Sequence, residues 1–179
     1  MSIAAGLTKI ASDIRLLGSG PRCGIGELQL PATQPGSSIM PGKINPVMSE
    51  MLIQVCLYAT GQCQTVAACG RDGHFELNVT IPLIAYSLHE SIRCLAHGAD
   101  TFAERCIIGI EANEARIEEN LRDSLMLVTA LNPHIGYDNA AKVAKQAFAE
   151  GKTLRAVVLE ENLMSAEEVD QALDPKGMI

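Results

Sequence analysis

Residues 88–106 read LHESIRCLAHGADTFAERC, with Leu88, Ile92, Leu95, Ala99, Phe102 and Cys106 at spacings of 4, 3, 4, 3 and 4. That rhythm puts all six on one face of an α-helix, as in a packed bundle. The pattern predicts a helix from about Val79 to Ile108, with Pro82 tolerated near its start. Working outward, residues 47–69 carry a second seam, Met48, Leu52, Val55, Ala59, Val66 and Cys69, with Gln62 as a polar interruption. Gly70 and Asp72-Gly73 end it. Residues 2–17 carry a third, Ile3, Leu7, Ile10, Ile14 and Leu17, stopped by Gly18-Ser19-Gly20-Pro21. Three long helices with a nearly strict seven-residue rhythm predict a left-handed bundle and an all-α fold. No alternating strand pattern competes with it.

Beyond Gly109 the periodic segments shorten. Asn113 is placed to cap a helix running to about Asp123, and Ser124 to Leu131 is an apolar segment that Asn132-Pro133 should end. Asp138 should cap a helix over 139–150, closed by Gly151. Residues 153–161 and 165–173 read as two more short helices, the second opened by a capping box of Ser165 and Glu168. The chain therefore divides into residues 1–112, a long-helix bundle segment, and 113–179, a small all-helical domain.

With 179 residues the chain is long enough to bury a core. A net charge of −7 argues against wholesale nucleic-acid binding. Residues 1–50 are nearly balanced in charge, whereas 113–179 hold seven Lys and Arg against twelve Asp and Glu. An anionic small ligand is thus better received in the first part. No apolar run reaches membrane-spanning length. Cys23, Cys56, Cys63, Cys69, Cys94 and Cys106 form no CxxC pair and have no histidine at metal-ligand spacing. They read as buried thiols in a reducing, cytoplasmic setting and not as a metal site.

Between the first two helices lies the loop Gly36-Ser37-Ser38-Ile39-Met40-Pro41-Gly42-Lys43-Ile44-Asn45-Pro46. Its prolines and glycines exclude helix and strand. Gly42-Lys43 is not a nucleotide P-loop, because Ser37 stands where that motif needs glycine, Ile44 follows the lysine, and no strand precedes. The glycines at 18, 20, 24 and 26 likewise miss the dinucleotide spacing. The loop does offer two serine hydroxyls, a cation at Lys43 and an amide at Asn45. Ser37 or Ser38 can bond a carboxylate, or one can act as a base if backbone amides and Lys43 make its surroundings strongly electropositive. Glu50 falls in the first turn of the next helix, where on spacing alone an acid complementing the macrodipole is the simpler reading.

The loop as a whole resembles the signature of the fumarase/aspartase superfamily. The likeness continues through Gly18 to Glu27, Gly73 to Asn78 and Ser124 to Asp138, and Gly42, the Gly73–Asn78 run and His134 lean toward the class II fumarases. The resemblance implies reversible hydration of fumarate to (S)-malate. It makes Ser37 the base, places Ser38, Lys43, Ile44 and Asn45 at the substrate carboxylates, and makes Glu50 the acidic partner of a catalytic histidine on another subunit. His74, His89, His97 and His134 do not match that histidine. The family's chain is longer, so the resemblance covers a C-terminal portion, with each active site of a homotetramer assembled from three subunits. The expected partners are a small dicarboxylate, further copies of the chain and a complementary N-terminal chain, and a eukaryotic source would permit a mitochondrial matrix location. A relative that releases ammonia from aspartate, and a helical oligomerisation fragment without activity, remain the alternatives.

Overall fold

The computed structural model describes every residue except Pro21, Pro41 and Ile179. Pro41, part of the loop quoted above, therefore lies outside the described residues. Among the described residues the regular structure is helical apart from a two-residue ladder and an isolated bridge between His74 and Leu77, and the chain divides into two compact units, Met1–Asn113 and Glu114–Ile179.

The first unit is built on α1 (Ser2–Leu17), α2 (Val47–Cys69) and α3 (Ile81–Arg105). α3 is shorter than the periodicity predicts, because the chain tightens into a 3-10 turn at Ile107–Gly109. α2 packs against both other helices around Ala4, Ala11, Leu52, Cys56, Phe102 and Cys106.

The buried stripes coincide with the predicted seams only in part: Leu7 and Ile14 of the first seam, Met48 and Leu52 of the second, and Leu95, Phe102 and Cys106 of the third belong to this core or pack against it. On α1 the buried residues are Ala4 and Ala11, while Ile3 is 70% exposed. On α3 they are Ser87, Ser91, Gly98 and Phe102, while Ile92 is 65% exposed and Leu88 is also exposed. On α2 Ser49 and Cys56 are buried with Leu52, Ala59 and Cys69, and Met48, Val55 and Val66 are only partly covered. Small side chains let the helices of this unit approach closely. A β-carbon added at Gly98 would lie 3.0 Å from Val55 Cγ1 and 3.5 Å from Leu52 Cδ1. Several larger aliphatics, Ile3, Ile10, Leu88 and Ile92 among them, turn outward. Periodicity found the helices and part of each buried face, while the seam residues Ile3, Ile10, Leu88 and Ile92 lie exposed beside the small residues on which this unit closes.

The segment before the loop is anchored at three points. β1 (Leu28–Gln29) pairs antiparallel with β2 (Glu111–Ala112), Leu28 opposite Ala112. Leu30 sits on Gly18, where an added β-carbon would meet Leu30 Cγ at 2.7 Å. Pro31 sits on Gly109 in the same way, also at 2.7 Å. Two residues are too few to register as a strand in a sequence pattern. The ladder nevertheless fixes where the loop leaves the end of α1.

The second unit holds α4 (Glu114–Asp123), a 3-10 turn at Leu125–Leu131, α5 (Asn132–Ile135), α6 (Tyr137–Glu150), α7 (Leu154–Glu160) and α8 (Ala166–Ala172). The 3-10 turn stops at Leu131, where Asn132-Pro133 is expected to end the apolar segment, and the same pair starts α5. Proline lacks only the N–H that a first-turn residue leaves unpaired, so Pro133 fits the start of α5. α6 begins at Tyr137, with Asp138 already inside its first turn. The other helix ends follow the sequence. Gly151 takes the left-handed conformation at φ 63° after α6, the Thr153 hydroxyl accepts from the Ala156 N–H, and Ser165 with Glu168 completes a capping box. Leu131, Val143, Leu154, Val157, Val158 and Val169 form the centre of this unit's core.

Candidate active site

The loop between the ladder and α2 folds back on itself. The Gly36 N–H donates to the Lys43 carbonyl at 3.0 Å, and Asn45 Nδ2 donates to the Gly36 carbonyl at 2.8 Å. A β-carbon on residue 36 would lie 2.1 Å from the Lys43 oxygen, so only glycine fits there. Gly42 turns the chain at φ +77°, in the left-handed region that glycine occupies freely. At its far end the loop passes into α2, where the Glu50 N–H donates to the Pro46 carbonyl.

Inside this closure the hydroxyl of Ser37 accepts from two backbone N–H groups, those of Ile39 and Met40, each at 3.1 Å. A serine turn of this kind is a local alternative to helix, consistent with a segment full of helix breakers. Its chemical consequence is larger. Two amide dipoles directed at one oxygen favour negative charge on it, which a serine needs in order to accept a proton. Ser37 is half-buried, and Lys43 is exposed nearby on the same loop.

Ser37, Gly42, Lys43 and Ile44 line one open cleft of about 460 Å³. Ser38 and Asn45 do not line it. Asn45 is half-buried, and its amide N–H is used to hold the loop. Ser38 is exposed beside Ser37. Glu50 stands on the first turn of α2, with Oε1 3.5 Å from an Arg15 guanidinium nitrogen. Sequence reasoning overlooked Arg15, whose only signal was a cation in the last turn of a helix, and Gly36, read merely as a loop residue.

Each of the six cysteines is a free thiol. Burial pushes the Cys106 thiol up, and burial together with Glu90 does the same at Cys94, so neither favours the reactive thiolate. Among the described residues no three His, Cys, Asp or Glu side chains gather as a metal-ligand set. Nor is any described helix long and apolar enough to cross a membrane.

Comparison with known families bears on this loop directly. The family described as Lyase matches residues 1–61, which include the whole loop, and Fumarase C C-terminus matches residues 127–179. The class II fumarate hydratase of Thermosynechococcus vestitus is 54% identical over 170 residues, 95% of this chain and 36% of that protein. Over nearly its whole length the chain is thus similar to part of the class II fumarate hydratases. Fumarate hydratase 1, mitochondrial, of Arabidopsis thaliana is 54% identical over 178 residues, 99% of this chain and 36% of its own length. Among solved structures, fumarate lyase:delta crystallin from Brucella melitensis superposes with a TM-score of 0.93 at 47% identity, covering 99% of this chain and 38% of that one. The recombinant class II fumarase of Schistosoma mansoni gives 0.89 at 43%, covering 96% and 36%. The fold is therefore the fumarase fold over the part present. The chain spans well under half the length of these relatives.

Proposed function

We propose that this chain supplies the C-terminal part of a fumarate hydratase, with residues 1–112 as a segment of the central bundle and 113–179 as its small helical domain. The observation that carries the reading is the pair of backbone N–H groups on the Ser37 hydroxyl, in a cleft shared with Lys43. In the malate-to-fumarate direction Ser37 takes the proton from C3. The electron pair left on C3 spreads into the neighbouring carboxylate, where the ammonium of Lys43 stabilises it. That pair then forms the C2–C3 double bond as the C2–oxygen bond breaks and hydroxide leaves. Ser38 and the Lys43-Ile44-Asn45 backbone hold the carboxylates. Asn45 also keeps the loop closed, and Glu50 partners a histidine supplied by another subunit.

The site built by this chain is incomplete, so turnover requires further copies and the missing N-terminal part. A homotetramer fits the outward apolar rows of α1 and α3. A cytoplasmic setting, or the mitochondrial matrix in a eukaryote, fits the free cysteines and the mitochondrial relative. The test follows fumarate absorbance on adding malate or aspartate, first to the chain alone. It is then repeated with a chimera that joins the N-terminal part of the T. vestitus relative to this chain. The expected result is turnover of malate by the chimera only. Turnover by the chain alone would overturn the composite site, and turnover of aspartate but not malate would move the assignment to an ammonia lyase. A helical, oligomeric chimera without turnover of either would leave a non-catalytic assembly. In the chimera Ser37→Ala should lower kcat by about 10²–10⁴-fold, the range for a general base, while malate still binds.

A further inference from the structure

We propose that Arg15 is the positioning residue for Glu50, an inference that rests on the fumarase reading of the site. Arg15 lies in the last turn of α1 and Glu50 in the first turn of α2. Each charge suits its own helix end, cation at the C-terminus and anion at the N-terminus. Helix ends alone do not account for the two side chains meeting across 3.5 Å. That contact joins the two helices at the points from which the intervening segment departs and to which the loop returns.

The neighbourhood is specific. Arg15 and Pro46, the last residue of the loop, line one cleft of about 430 Å³ together with Ser12 and Ser19. The Pro46 carbonyl accepts from the Glu50 N–H at 3.1 Å, so backbone and side chain of Glu50 are held at the same junction. Arg15 itself is carried on a fixed base, because Ala11 and Ile14 of the same helix pack into the core around Leu52. The guanidinium meets Oε1, which leaves Oε2 to face the histidine that the fumarase reading assigns to Glu50.

Magnitude separates this role from a structural one. Both side chains are about half exposed, and exposed ion pairs of this kind contribute at most about 1 kcal/mol. Loss of Arg15 should therefore leave folding intact. A carboxylate that must orient a proton-carrying partner is sensitive to far smaller displacements.

The experiment uses the chimera above, with Arg15→Met, Arg15→Lys, Glu50→Gln and the Arg15→Met/Glu50→Gln double variant. Arg15→Met is expected to lower kcat about tenfold with KM changed less than about twofold, and Arg15→Lys to recover most of the loss. The double variant should be no slower than Glu50→Gln alone, because Arg15 acts only through Glu50. Helicity and oligomer size are measured on each variant. If Arg15→Met fails to assemble, the Arg15→Lys and Arg15→Gln pair carries the same comparison. Unchanged kcat in Arg15→Met, or losses that multiply in the double variant, overturns the inference while the fumarase reading stands. A wild-type chimera inactive on malate overturns both.

Discussion

The carbonyl oxygen of Lys43 occupies the place a side chain would take on Gly36, 2.1 Å from an added β-carbon, and it accepts the Gly36 N–H at 3.0 Å. These two residues close the loop that presents Ser37. Gly36→Ala cannot keep both the hydrogen bond and ordinary contact distances, so the loop must open. The helices do not depend on the closure. In the chimera this substitution should cut malate turnover by about 100-fold, the cost expected of roughly ångström-scale misplacement, with the far-UV circular dichroism unchanged. Near-normal turnover would show that the closed loop is not the working one.

A second prediction concerns how the first unit is held together. Gly98 brings α3 against Val55 and Leu52, with no room for a larger side chain. Gly98→Leu should destabilise this unit by about 1–3 kcal/mol, the range for overpacking. Thermal or urea unfolding followed by circular dichroism measures it. Gly98→Ala has a milder balance, since its gain in helix propensity opposes a contact at 3.0 Å. A Gly98→Leu protein as stable as the parent would show that α3 shifts readily on α2.

Helix positions and most helix ends were legible because their signals are local. Val47 to Cys69 follows from periodicity and a glycine stop, and the Ser165–Glu168 box from three residues of spacing. The choice of buried face was legible only in part, through Leu52, Phe102 and Cys106. Ser87, Ser91 and Gly98 score as weakly apolar, yet they form the contact, whereas Leu88 and Ile92 score highly and lie outside. The loop's residue types named plausible chemistry, but the double acceptance by Ser37 and the holding role of Asn45 come from backbone closure. Arg15 was hidden because its partner lies 35 residues on, beyond any local pattern.

The same outward rows give a prediction about assembly. Leu88 and Ile92 lie on the outer side of α3, far from Gly98's contact with α2. Ile92→Lys should leave the monomer's helicity intact and weaken association by about tenfold or more, equivalent to roughly 1.4 kcal/mol or above. Analytical ultracentrifugation over a concentration series reads this directly. If the parent chain is monomeric throughout, or the variant associates as strongly, this face is not the one covered.

Acid should act chiefly on the second unit, where three carboxyls are held below their ordinary values. A hydrogen bond from Lys152 does this for Glu150, the Ser165 backbone N–H and then its hydroxyl for Glu168, and a hydrogen bond from Arg155 for Asp170. A carboxyl depressed in the folded state adds stability that is fully present above its unfolded value. That stability is lost as pH falls through the folded one. With unfolded values near 4.5 for glutamate and 3.8 for aspartate, the decline should begin below about pH 5 and continue below those ordinary values. Lys152 has the opposite sign: its ammonium is raised by Glu150 and Glu160, so its contribution is complete below its ordinary value of 10.5 and fades only above it. Between about pH 5 and 9 none of these groups changes charge, so none of them moves Tm there. All are solvent-exposed and screened, so the slope should flatten further in high salt. Thermal melts from pH 7 down to pH 3 test this, with Glu168→Gln expected to show a shallower acid decline than the parent. A Tm constant down to pH 3, or one that rises on acidification, would show that these pairs do not contribute to folding.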